Sequence, residues 1–233
     1  MAGAIAQSVR ATGGAASATT LASGDLGSAT TSGNYLLVAV QGEDATVTCA
    51  DSLGNTFTQQ GSIKEAAINR RLTWFTAPIT TGGSSNSVTA TYSTSVIGRV
   101  IVVMEISGVN SFDVGDTKTS TGANPIPNPA LSATNTAQPA FAVAYIHDIQ
   151  STSIAVGSGY TLYSTFNDEN GSARILVQYK AITSVAAQTA QFANAGFDRC
   201  NMFLAIFIDG AGGGGVVGKS NIARQAVSRA SVY

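Results

Sequence analysis

The sequence predicts an all-β fold: a two-sheet, jelly-roll-like β-sandwich built from two similar halves, with extended arms at both ends. Three observations predict it. Ser and Thr supply 51 of the 233 residues and Gly another 25, while only 11% are charged, the reverse of what helical surfaces use. Apolar residues recur with a period of two, as where Val100, Val102, Met104 and Ile106 alternate with Ile101, Val103, Glu105 and Ser107, which is the period of a strand. Blocks of the first half also recur in the second in the same order.

Strand-like runs follow one another at Tyr35–Val40, Ala45–Cys49, Leu72–Ala77, Ser87–Tyr92, Val100–Ile106, Phe141–Ile146, Arg174–Ala181, Gln188–Phe192 and Met202–Ile208. Turn chemistry separates them: Ser-Leu-Gly-Asn at 52–55, Thr-Gly-Gly-Ser at 81–84 and Asn-Asp-Glu-Asn-Gly at 167–171. Pro125, Pro127 and Pro129 cannot donate to a central ladder, so this stretch is expected to be an extended connection between the halves.

The repeat is read block by block. Residues 36–40 match 141–145, and Gly54, Thr56 and Phe57 match Gly159, Thr161 and Leu162, at an offset of 105. Arg71, Leu72 and Ile79 meet Arg174, Ile175 and Ile182 at 103; Thr89, Ala90 and Tyr92 meet Thr189, Ala190 and Phe192 at 100; 102–108 meets 204–210 at 102. Neither half buries much alone, so the two are expected to pack as two sheets sharing one core in a single domain, 21–210, with halves at 21–110 and 125–210. Residues 1–20, rich in Ala, Gly, Ser and Thr, are expected to form an N-terminal arm. Gly212–Gly215 hinges a C-terminal arm at 211–233.

Charge divides between body and tail. All 13 acidic residues lie at or before Asp209, with nine of the 12 basic ones, so the body carries −4 and the tail +3. The tail sets Lys219, Arg224 and Arg229 among Ile222, Val227 and Tyr233, a pattern suited to docking on an acidic or apolar partner. These six residues are the candidate partner-binding set. No apolar run approaches the roughly 20 residues of a membrane helix, and no apolar block of the secretory kind follows the N-terminus.

No catalytic, cofactor-binding or metal-binding set emerges. His147 and Asp148 are adjacent, yet a triad needs a separate acid to orient the ring and an exposed nucleophile. Asp168, Glu169 and Asn170 read as an acidic hairpin tip before they read as calcium ligands. The string Gly213-x4-Gly218-Lys219-Ser220 has the spacing of a phosphate loop but no preceding strand. Cys49 and Cys200 have no partners at zinc spacing; two free thiols are expected, with a bridge between them left open. Trp74 is expected to plug the core. Glu105 interrupts an apolar strand, and its counterpart in the repeat is Phe207. A buried carboxylate needs a partner, for which Arg70, Arg71 and Arg99 are the candidates.

The motifs Asp51-Ser-Leu-Gly-Asn-Thr-Phe-Thr58, Leu72-Thr-Trp-Phe-Thr-Ala-Pro78, Gly82-Gly83 with Asn86-Ser-Val-Thr-Ala-Thr91, and Glu105-Ile-Ser-Gly-Val109 resemble those of β-sandwich structural proteins of tailed bacteriophages. The resemblance covers about 35–110 well and the second half only faintly, and Pro78 departs from the polar residue expected there. It implies a non-enzymatic virion part: a capsid decoration or cement protein, or a tail-associated subunit. Such a protein would be homo-oligomeric, assembled in the host cytoplasm and docked by its termini on the major capsid or another virion structural protein. The alternative is a carbohydrate-binding or host-adhesion module of a tail or cell surface, with Trp74, Tyr160 or Tyr163 lining a glycan groove. A hydrolase would need Glu105, His147 and Asp148 in one cleft. No cofactor, nucleic acid or membrane partner is expected.

Overall fold

The computed structural model describes residues 2–126, 130–148, 154–167, 174–193 and 197–210. The described residues form strands and no helix. The first eight strands are β1 (Ala4–Thr12), β2 (Ala18–Asp25), β3 (Tyr35–Glu43), β4 (Val47–Asp51), β5 (Thr58–Glu65), β6 (Arg70–Pro78), β7 (Ser87–Val96) and β8 (Val100–Ser107). The second eight are β9 (Val109–Ile126), β10 (Ala130–Thr134), β11 (Ala140–Asp148), β12 (Ala155–Val156), β13 (Thr161–Asn167), β14 (Arg174–Ile182), β15 (Ala187–Ala193) and β16 (Phe197–Asp209).

All pairings are antiparallel, and the halves repeat one diagram. In the first, β1-β8-β3-β6-β5 form a five-stranded sheet and β2-β7-β4 a three-stranded one; in the second, β9-β16-β11-β14-β13 and β10-β15-β12 do the same. The duplication read from sequence is therefore a duplication of topology. Gly54 and Gly159, 105 residues apart, both sit in left-handed turns, at φ of 79° and 77°, where a side chain is disfavoured.

Each half is itself a two-layer sandwich, which corrects the expectation that the halves contribute one layer each. Leu36, Val38, Val40, Phe75, Ile101 and Val103 fill the core between the first half's sheets. Ala142, Ala144, Ile146, Leu204 and Ile206 fill that of the second. A third core, with Leu37, Ala39, Trp74, Val102, Val143, Tyr145, Phe203 and Phe207, lies between the two five-stranded sheets. The layers thus run three, five, five and three strands. The inner sheets are covered on both faces, so β3, β8, β11 and β16 read as almost unbroken apolar runs.

The inner sheets face each other with their strand order reversed. Ser8 and Arg10 of β1 meet Tyr163 and Phe166 of β13, while Gly61 of β5 meets Thr117 of β9. Since β9 corresponds to β1 and β13 to β5, the edges exchange as a two-fold axis running along the strands requires. Trp74 anchors this interface. Its indole stacks on Phe203 at 4.7 Å, Phe203 stacks on Tyr145 at 5.1 Å, and its Nε1 donates to Thr117 Oγ1 at 2.8 Å. Gly61 and Gly115 admit it from either sheet: a Cβ at Gly115 would lie 2.5 Å from the indole.

Two boundary expectations are corrected. Residues 1–20 are no arm: β1 pairs with β8 from Ala4 to Thr12, and β2 pairs with β7 from Ala18. Ile5, Val9 and Ala11 supply enough apolar contact for an edge strand, although their small neighbours hide the alternation. The halves also meet earlier than expected, at Gly108, whose φ of 71° turns the chain from β8 directly into β9. Pro125 lies within β9, an edge strand, where a missing N–H is tolerated. Pro127 and Pro129 lie outside the described residues, as do Asp168, Glu169, Asn170 and 211–233.

The repeat's register slips by one in two places. Leu36 faces the outer core and Phe141, 105 residues later, faces the central one; Val102 and Leu204 are crossed in the same way. Leu72 with Ile175 and Ala90 with Ala190 keep matching faces. On a strand apolar on both sides, side-chain type does not reveal parity.

Candidate functional site

Glu105 lies near the end of β8 and is 1% exposed. Its partners among the described residues are all neutral. Gln7 Nε2 donates to Oε2 at 2.6 Å, and Asn34 Nδ2 and the Thr31 N–H donate to Oε1 at 2.5 and 3.0 Å. β1 supplies Gln7 because it pairs directly with β8, Gln7 opposite Glu105. The loop between β2 and β3 supplies the other two. None of the expected arginines reaches it. Arg71 binds Asp44 at 2.7 Å, Arg70 donates to the Ile97 and Gly98 carbonyls, and Arg99 donates to the Thr20, Gly13 and Ala16 carbonyls. The geometric reason is simple: Arg99 sits six residues back along an extended chain, about 20 Å away. Nor is Phe207 the counterpart of Glu105, since Phe207 faces the central core and Glu105 continues the row of Ile101 and Val103 on the other face.

Glu105 lines a surface pocket of about 380 Å³ with Gln7, Ser28, Thr31 and Asn34 as its polar wall and Ala2, Ala6, Ala29 and Gly108 as its small apolar one. Gln7 also ties the loop down, donating to Ser28 O at 3.1 Å and accepting from the Ser28 N–H at 2.8 Å. At the same end of the molecule, Asp209 is 7% exposed with Oδ1 lacking a hydrogen-bond partner. Burial pushes its carboxyl above the usual carboxylate range, against a Gly3 N–H that favours the charge.

His147 and Asp148 lie at the opposite end of the inner sheets. They close β11, opposite Asn201 and Cys200 of β16, and Asn201 donates to the Arg70 carbonyl across the interface at 3.3 Å. Glu105 therefore does not share a cleft with them, and the three-residue hydrolase arrangement is not formed. Among the described residues no three His, Cys, Asp or Glu side chains gather as a metal site, and no helix is long and apolar enough to cross a membrane.

The aromatic platform also fails to form. Trp74 is 1% exposed and Tyr160 9%, and Tyr163 is turned to Ser8 between the inner sheets at 3.1 Å. Cys49 and Cys200 are free thiols in different halves, each pushed up to about 12 by burial, foremost among the causes. The candidate partner-binding residues Lys219, Ile222, Arg224, Val227, Arg229 and Tyr233 all lie outside the described residues.

Sequence reasoning singled out Glu105 but missed Gln7, Thr31 and Asn34. The available signal was the pairing of an N-terminal strand with β8, which an arm at 1–20 precluded. No family model, curated protein or solved structure matches this chain.

Proposed function

We propose that this protein is a non-enzymatic structural subunit of a virus particle, a decoration or cement protein that docks through its cationic C-terminal segment. The reading rests on one observation above the rest: residues 1–210 carry a net −4 and residues 211–233 a net +3. The body supports it. Two sandwiches joined through their larger sheets make a stiff block. Many of its polar side chains hold turns and strands in place: Asp51 binds Asn55, and Asp113 binds Thr136. The nested pairing of β1 with β8, β2 with β7 and β3 with β6 supports a jelly-roll reading of each half, with β5 joined to β6 instead of β4.

Purified particles should contain the protein in fixed stoichiometry. Replacing Lys219, Arg224 and Arg229 by Gln should release it, and raising salt should weaken the wild type's hold. Absence from particles, or association indifferent to both changes, would refute the proposal.

A further inference from the structure

The polar wall of the pocket over Glu105 combines a buried carboxylate with amides and hydroxyls, from Gln7, Asn34, Ser28 and Thr31. A carboxylate offers about four acceptor positions. Among the described residues, donors fill two on Oε1 and one on Oε2, so Oε2 keeps a position for a donor from outside. Asn34 commits its Nδ2 to Glu105, which leaves its Oδ1 as an acceptor, and the Ser28 and Thr31 hydroxyls can both donate and accept.

Charge selects among the molecules that could enter. An anion would meet the Glu105 carboxylate, which is 1% exposed and therefore little screened. A cation would meet a positive charge already in place: the N-terminal ammonium stands near enough to favour the ionised form of Asp209. Asp209 is beside the pocket, since the next residue, Gly210, donates its N–H at 2.7 Å to the carbonyl of Gly108, which lines it. A neutral molecule with several hydroxyls meets neither charge with its like. Ala2, Ala6 and Ala29 form a low apolar wall that suits the C–H face of a ring. At about 380 Å³ the pocket is at the small end of ligand sites, room for one or two sugar rings.

We propose that the Glu105 pocket binds a sugar residue of a neutral glycan, which donates one hydroxyl to Glu105 Oε2 and places others on Asn34 Oδ1 and the Ser28 and Thr31 hydroxyls. A ring held without an aromatic platform binds weakly, with a Kd on the order of millimolar. This is a function beyond the particle-binding reading, and it uses other residues.

The test is a nitrogen-15 NMR titration of the full-length chain with glucose, galactose and mannose, and separately with methylammonium and acetate. At least one sugar should move the Gln7, Ser28, Thr31 and Asn34 amide signals and saturate, while methylammonium and acetate leave them in place. Glu105→Gln should weaken the binding about tenfold, the worth of one hydrogen bond to a charged acceptor. Should that variant fail to fold, Thr31→Val takes its place, at an exposed position where the backbone N–H to Glu105 is kept and only the hydroxyl is lost; it should weaken binding about threefold. No saturation by any of the three sugars at about 100 mM, well above a millimolar Kd, would overturn the proposal. So would shifts confined to residues away from the pocket, unchanged affinity in the folded variant, or methylammonium binding more tightly than every sugar. Particle association is scored separately, so either proposal can fail alone.

Discussion

The first half of the molecule, β1 to β8, and the second, β9 to β16, hold their strands in the same order but fill them differently. On the outer face of β3 stand Leu36, Val38 and Val40; on that of β11 stand Ala140, Ala142 and Ala144. The second half regains volume elsewhere in that core, with Phe192, Met202, Leu204 and Ile206. What the repeat preserves is thus the filling of each core as a whole, not the residue at each position. The same comparison isolates Glu105. The outer row of β8 ends in a carboxylate, whereas that of β16 continues through Leu204 and Ile206.

The comparison can be broken most severely where the halves meet. Trp74→Ala should cost about 3–5 kcal/mol, read from denaturant unfolding, because it empties the stack on Phe203 and leaves Thr117 without its donor. Gly115→Ala attacks the same point from the other sheet. Its new methyl would meet the indole and the Leu204 carbonyl, so about 1–3 kcal/mol should be lost. Glu105→Leu should cost about 1–3 kcal/mol by stranding the Gln7, Asn34 and Thr31 donors, whereas Glu105→Gln should cost less. At the lower end, Asp44→Asn should cost under about 1 kcal/mol, since this surface carboxylate is only half-buried and is screened by solvent. The hydrogen bonds from Lys64 and Arg71 hold the Asp44 carboxyl below its ordinary value. Its contribution is therefore complete above that ordinary value and is lost as pH falls through the lowered one; the mutant's stability curve should be flatter there. The thiols give a chemical check. Ellman's reagent should react slowly with the native protein at pH 8 and take up two equivalents once it unfolds.

Much of this architecture was legible in the chain. Covered strands such as β8 and β16 declare themselves as apolar runs, and the glycines at 54 and 159 mark equivalent turns. The parity of those runs was not legible, because Leu36 and Leu37 are equally apolar while facing different cores. Edge strands were harder still: β1 mixes Ile5, Val9 and Ala11 with small and polar residues, and β9 carries Gly115, Asp116 and Pro125. Missing β1 also hid the site. Glu105 stood out as an acid in an apolar strand, but its true neighbours are distant in sequence and uncharged, so a search for a counter-ion pointed to arginines at the wrong end.

The central claim is that the two sandwiches form one cooperative body through the core around Trp74. This is the chain's single tryptophan, so its fluorescence reports the junction while far-ultraviolet circular dichroism reports the strands of both halves. Followed together through urea unfolding, the two signals should give coincident transitions with the same midpoint. A tryptophan transition completed at lower urea, with the strand signal still intact, would show that the halves part while each stays folded and would contradict the account.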